Sequence, residues 1–148
     1  MTDIQIGMAA KALVMTALTG LNSGNIDDVM GYFADEFRFN DYGIGLQFRE
    51  KDRLAEFFQK ARELYPDSFV NVETVIGDGD HVFTEWILQA TLTGPFYGGL
   101  TRKIPISVHG ASLIRTANGK IIEWSDYYDG LNARRADLAS HFTEWVGL

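Results

Sequence analysis

The sequence predicts an α+β domain in which helices come first and a curved, mostly antiparallel sheet follows. Three observations carry this expectation. Apolar residues recur at helical spacing up to Pro66, alternating β-branched and aromatic residues dominate after it, and Gly- and Asn-containing turns punctuate the second half at hairpin intervals. The 148 residues suit a single domain, 1–148, large enough for a core and a ligand cavity.

Each element has its own signal. Ile4, Met8, Leu13, Ala17 and Leu21 roughly follow one helical face, and Gly20 with Asn22-Ser23-Gly24 supplies a stop. Asn25 is placed to cap a second, shorter helix with Ile26, Val29, Met30 and Phe33 on its apolar side, and Asp27 and Asp28 favour its first turn. Phe37 to Asp41 alternates as a short strand, and Tyr42 to Gln47 reads as a loop. A third helix runs from about Lys51 to Leu64, burying Leu54, Phe57, Phe58 and Leu64, and Tyr65-Pro66-Asp67 ends it. Four extended segments come next. Phe69 to Ile76 and His81 to Thr93 form a hairpin around Gly77-Asp78-Gly79-Asp80. A Gly- and aromatic-rich connection, Gly94 to Gly99, leads to Lys103 to Thr116, and Ala117-Asn118-Gly119 turns the chain into the last strand. Leu131, Leu138, Phe142 and Trp145 suggest a terminal helix or tail.

Composition narrows the chemistry. Cysteine is absent, so disulfides, thiolate nucleophiles and sulfur-ligated metals are excluded. The net charge of -7 disfavours nucleic acid, because phosphate neutralisation needs clustered Lys and Arg, and Arg102-Lys103 and Arg134-Arg135 are too small for that. No long uncharged apolar run of membrane-spanning length and no charged-then-apolar export pattern stands out, so the expectation is a cytoplasmic protein with no membrane partner. The three histidines lack ligand spacing to one another, and no compact Asp/Glu/His cluster occurs, so no metal is expected. No phosphate-binding Gly loop and no Gly-x-Ser-x-Gly elbow is present, and no cofactor is expected.

The most informative segment is Gly119-Lys120-Ile121-Ile122-Glu123-Trp124-Ser125-Asp126-Tyr127-Tyr128-Asp129. Ile122, Trp124, Asp126 and Tyr128 fall at spacing two, so an unbroken strand presents them on one face. A carboxylate on a core-facing strand is costly unless partnered, which makes Asp126 the first candidate for chemistry; a strand end at which it meets water or an Arg is the plainer alternative. Asp41, at a strand end beside Tyr42, Gly43 and Gly45, is the second candidate, with ordinary turn chemistry as its alternative. Two carboxylates facing one apolar pocket push their pKa values apart, giving a proton acceptor and a donor. On Lys103 to Thr116, an inner set of Val108, Gly110, Ser112 and Ile114 puts Ser112 in the cavity and His109 outside, with Gly110 and Ser112 leaving room for a ligand. Glu85 reads as solvated.

Over about residues 8 to 130 the chain resembles the nuclear transport factor 2-like superfamily of cone-shaped (cystatin-like) α+β domains. Leu21 to Val29, Tyr32 to Phe37 and, above all, Arg115 to Asp129 carry the resemblance. The last piece is most similar to SnoaL-like polyketide cyclases and limonene-1,2-epoxide hydrolases. In both, the position matched by Asp126 is catalytic, as acid-base group or as part of an Asp-Arg-Asp set. The Arg and second Asp of the epoxide hydrolases match Trp86 and Leu88 here, and the cyclase histidine matches Ser112. Steroid isomerases of the superfamily place a base where Asp41 stands, while their oxyanion donors match Ala17 and Ser112.

Residues and resemblance together predict a cofactor-independent acid-base enzyme, a cyclase or isomerase, acting on a small, mostly apolar carbonyl compound held inside the cone. Asp126 and Asp41 are its expected catalytic pair. Ser112 and Tyr128 are expected to orient the substrate oxygen, and Trp124, Trp86, Phe39 and Tyr42 to line the pocket. A non-catalytic ligand-binding or assembly domain is the alternative from another class. Epoxide hydrolysis with a rebuilt water site is a third, which requires Glu85 to face inward. A homodimer through the outer sheet face, around Thr91, Thr93, Ser107, His109 and Tyr127, is the expected assembly.

Overall fold

The computed structural model describes residues 1–93 and 103–130. The expected connection Gly94 to Gly99 and the expected terminal helix from Leu131 to Trp145 lie outside the described residues. The element order is α1 (Asp3–Ser23), α2 (Ile26–Tyr32), β1 (Phe33–Asp41), β2 (Leu46–Phe48), α3 (Lys51–Leu64), β3 (Phe69–Asp78), β4 (His81–Thr93), β5 (Lys103–Ala117) and β6 (Lys120–Tyr128). Helices therefore precede most of the sheet, as the change of pattern at Pro66 predicts.

Local chemistry sets the helix ends. Thr2 and Gln5 form a reciprocal capping box at the start of α1. Gly24 closes it in the left-handed region at φ 78°, where a side chain would be strained. Asn22 then ties this end to β3 by two 2.8 Å hydrogen bonds with the backbone of Val70. Asn25 stands before α2 as expected, yet its side chain makes no capping bond. Helix α1 packs Gly7, Ala10, Val14, Ala17 and Leu18 inward. Contrary to the expectation that no such stretch occurs, it also matches a membrane span by length and hydropathy (mean 1.4), a property that core helices share.

The six strands form one sheet in the order β2-β1-β6-β5-β4-β3. All neighbours are antiparallel except β1 and β6, which run parallel with Phe39 opposite Trp124 and Asp41 opposite Asp126. The short strand β2 falls at the end of the segment expected to be a loop, pairing with the end of β1. The β5–β6 turn has positive φ at both Asn118 (51°) and Gly119 (73°), the geometry that suits a tight right-twisted hairpin.

The helices cover the concave face of this sheet. Val14, Val29, Phe33, Phe39, Leu54, Val82, Ile114, Ile121 and Trp124 are buried there in one cluster. Fully burying one such side chain stabilises the fold by about 1.5–3 kcal/mol. Some expected core positions change: Leu64 at the end of α3 is exposed, as are Ile4 and Met8 near the start of α1, and the pattern on β6 shifts. Arg115 pairs with Glu123 and Thr116 with Ile121, so the chain carries an extra residue at Ile122 and a bulge forms. The bulge seats Ile121 in the core in place of Ile122 and leaves Trp124, Asp126 and Tyr128 on the inner face.

Candidate active site

Toward the C-terminal end of β6 the inner face changes from apolar to polar. Asp41 and Asp126 are direct partners on adjacent parallel strands, so their backbones lie about 5 Å apart. A distant pair, or Asp126 bound to Arg115, would have excluded joint acid-base chemistry. Arg115 instead meets Glu123 at 3.4 Å, a carboxylate that also pairs with Arg38 at 2.8 Å.

Asp126 sits at the end of a directed chain of donors. The Trp86 indole N–H donates to Ser112 Oγ (2.8 Å), and the Ser112 hydroxyl donates to Asp126 Oδ1 (2.5 Å). Trp124 Nε1–H donates to the same Oδ1 at 2.7 Å. Among the described residues Oδ2 receives no hydrogen bond, and it is not a sealed, unpartnered atom. Although Asp126 as a residue keeps some exposure, its carboxylate sits among buried neighbours, and that enclosure decides its ionisation. Burial pushes its pKa up to about 7; the Ser112 and Trp124 bonds oppose the rise, and the neighbouring charge of Asp41 adds to it.

Asp41 has a different shell. Its Oδ2 accepts from the Tyr128 hydroxyl (3.0 Å) and its Oδ1 from Ile44 N–H (3.1 Å). Burial raises its pKa, and these bonds restrain the rise. Burial and then the charge of Asp41 push the Tyr128 hydroxyl well up, so it stays a proton donor.

Aromatic packing fixes these directions. Trp124 lies between Phe33 and Phe39, with ring centroids at 6.2 and 6.3 Å and both pairs stacked. Phe39 also meets Phe58 edge-on at 5.5 Å. Trp86 lies 5.9 Å from Tyr128, over the position where β5 carries Gly110. A Cβ at Gly110 would collide with the Trp86 indole, and one at Gly43 with the Tyr128 ring.

Seven of the eight expected site residues, Asp126, Asp41, Ser112, Tyr128, Trp124, Trp86 and Phe39, thus gather on the inner face. Three expectations need correction. Tyr42 is exposed and packs on Tyr127 at 5.0 Å, because the turn after Asp41 carries it off the inner face. The space at Gly110 is filled by the Trp86 ring, so it offers no room to a ligand. Ser112 and Tyr128, expected to orient a substrate oxygen, each have a single hydroxyl proton and direct it to a carboxylate. Glu85 is exposed and accepts a 3.3 Å bond from Thr74, which removes the rebuilt epoxide-hydrolase site that needed it inside. His109 is on the outside, as the strand period predicts.

Sequence reading missed the Trp86–Ser112 link and the Ile44 N–H. Both join positions distant in sequence or lie in a turn, where period-two patterning is silent. Two surface hollows, of about 500 Å³ beside Arg49 and Arg53 and about 580 Å³ between α1 and the Asn118 turn, include none of the cluster. Among the described residues no group of three or more His, Asp or Glu is placed to hold a metal ion.

A sheet curved around a helical layer, with a polar cluster at one end of its inner face, defines a ketosteroid-isomerase-like (nuclear transport factor 2-like) domain of the small-molecule-processing type. The chain belongs to the SnoaL-like polyketide cyclase family, whose model matches residues 12–136. Among solved structures it is similar to a candidate SnoaL-like polyketide cyclase from Jannaschia sp. CCS1, with 24% identity over 88% of this chain and 92% of that one, at a TM-score of 0.74. IdmH of Streptomyces antibioticus, a protein proposed to be a polyketide cyclase, shares 19% identity over 88% and 98%, at a TM-score of 0.75. An LEH-like epoxide hydrolase from M. tuberculosis shares 19% over 96% and 98%, at 0.71. At these identities the structural likeness establishes the fold alone. No curated protein matches in sequence.

Proposed function

We propose that the protein is a cofactor-independent acid-base enzyme of cyclase or isomerase type, with Asp126 as the group that carries the proton. The observation that supports this most is the asymmetry of its carboxylate: Oδ1 holds two donors while Oδ2 holds none among the described residues, on a group whose pKa burial pushes up to about 7. A general acid-base catalyst works best with a pKa near the working pH. The ionised Oδ2 would remove a proton next to a carbonyl, and the neutral acid would return it or hydrogen-bond the carbonyl oxygen. Asp41 contributes its charge and holds Tyr128, and both of its oxygens are occupied. Phe39, Trp86, Trp124 and Tyr128 give the surroundings an aromatic character that suits a small, mostly apolar substrate.

The test is solvent deuterium exchange at the carbon next to the carbonyl, followed by NMR across a panel of cyclic ketones and β-dicarbonyl compounds. Enzyme-dependent exchange that Asp126→Asn abolishes is expected. Equal exchange by both proteins would sink the reading. One observation favours a non-catalytic ligand-binding or assembly domain instead: the hydroxyl protons of Ser112 and Tyr128 both go to carboxylates, so neither is left to donate to a developing oxyanion. We further propose a cytoplasmic homodimer through the outer sheet face around Thr91, Thr93, Ser107, His109 and Tyr127. A monomer by light scattering at micromolar concentration would contradict the dimer.

A further inference from the structure

We propose that Trp86 is a positioning residue: seated in the slot that Gly110 leaves open, it fixes the Ser112 hydroxyl as a donor to Asp126 Oδ1, so that protons come and go at Oδ2 alone. The inference rests on the acid-base reading of Asp126 and goes beyond it, because the Trp86 N–H bonds Ser112 and not the carboxylate it governs.

An indole N–H only donates, and a serine hydroxyl has one hydrogen. Ser112 Oγ receives the Trp86 N–H at 2.8 Å, and its own hydrogen is directed to Asp126 Oδ1 at 2.5 Å. Trp124 occupies the second acceptor direction of Oδ1 at 2.7 Å, and it too only donates. Adding a proton to Oδ1 would break one of these bonds and leave a buried donor unpaired. Adding it to Oδ2 breaks none.

Without the Trp86 N–H, the Ser112 hydroxyl is free to reverse and accept from a protonated Oδ1. The proton would then have two sites, one of them turned away from the substrate, and the ionised form would lose a fixed donor.

Gly110 is the backbone condition for this device. It lies opposite Trp86 on β4 and opposite Tyr128 on β6, and any Cβ there would occupy the space of the indole. The small residue therefore serves the orientation of Trp86. Among the described residues, the titratable groups that bear on Asp126 are Asp41 from β1 and Tyr128 from β6; β5 and β4 present the non-titrating Ser112, Trp86 and, opposite Ser112, the buried hydroxyl of Thr84.

The test is a double-mutant cycle read on the Asp126 pKa, by carbon-13 NMR of its carboxyl in Trp86→Phe, Ser112→Ala and the double variant. Trp86→Phe should raise that pKa by about half a unit to one unit, and Ser112→Ala by about one unit, as expected for losing one donor to a carboxylate. If Trp86 acts through Ser112, the double variant should match Ser112→Ala alone. Additive shifts, or no shift in Trp86→Phe, would overturn the proposal.

Should Trp86→Phe fail to fold, the unmodified protein still decides. The Trp86 indole N–H resonance should shift with pH at the Asp126 midpoint, and a pH-independent resonance would refute the link. The readout needs no turnover, so its failure is separable from failure of the enzymatic reading, which the exchange assay reports.

Discussion

Asp41 and Asp126 are neighbours on paired strands, and their two corners of the site are built in opposite ways. The Asp41 corner is made by a turn: Ile44 N–H and the Tyr128 hydroxyl occupy both carboxylate oxygens, and Gly43 lets the Tyr128 ring come close. The Asp126 corner is made by strands: Ser112 and Trp124 hold one oxygen, and Trp86, seated over Gly110, steadies Ser112. A carboxylate with one donor on each oxygen, as at Asp41, has no oxygen set apart for a proton. A buried one with a single oxygen occupied has a place for a proton. Equal residue types a strand apart thus take different roles because of which of their atoms are already bonded.

The largest expected effect is kinetic. Asp126→Asn keeps an oxygen for the Ser112 and Trp124 donors and removes the ionisable one, and it should cost about 10²- to 10⁴-fold in the deuterium-exchange rate. Asp41→Asn should cost about tenfold or less. Equal losses would erase the distinction between the corners.

The second effect is on stability. The Asp126 pKa is raised from the ordinary 3.8 to about 7 by burial, so between those values the folded protein binds more protons than the unfolded chain. Stability on this account is greatest at acid pH and falls as pH rises through the window. Asp126→Asn should therefore stabilise the protein by on the order of 2 kcal/mol at pH 8 and far less at pH 4, measured by urea unfolding. A pH-independent change would contradict the burial argument.

Next come the two glycines. Gly110→Ala and Gly43→Ala should each destabilise by about 1–3 kcal/mol through overpacking. Only Gly110→Ala should also move the Trp86 indole N–H resonance strongly. A smaller effect links the corners: the charge of Asp41 raises the Asp126 pKa, so Asp41→Asn should lower it by about half a unit in an NMR titration. The smallest is Glu85→Gln on the exposed face, expected to change stability by less than about 0.5 kcal/mol and leave exchange intact.

The helices, the hairpin turns and the inward phase of Trp124, Asp126 and Tyr128 follow from patterns of 3.6 and 2 residues that any reader of the chain can count. So does the outward placement of His109, which shares a strand with inward Ser112, whereas on the strand of Glu85 and Trp86 the period of two does not say which face is inside. The resemblance in Arg115 to Asp129 led to the right family. Other features were beyond such counting. The bulge that exchanges Ile122 for Ile121 depends on how β5 and β6 register around their tight turn. Tyr42 left the site because a turn redirects its backbone, and periodicity does not extend through turns.

The sequence by itself determined which residues could face inward, because side-chain direction along a strand is a local property of the backbone. Only the tertiary structure decided that β1 lies parallel to β6 and brings Asp41 beside Asp126, and that Trp86 fills the slot at Gly110 to reach Ser112. Those are contacts between segments far apart in the chain, and they decide which oxygen of Asp126 is left open to take a proton.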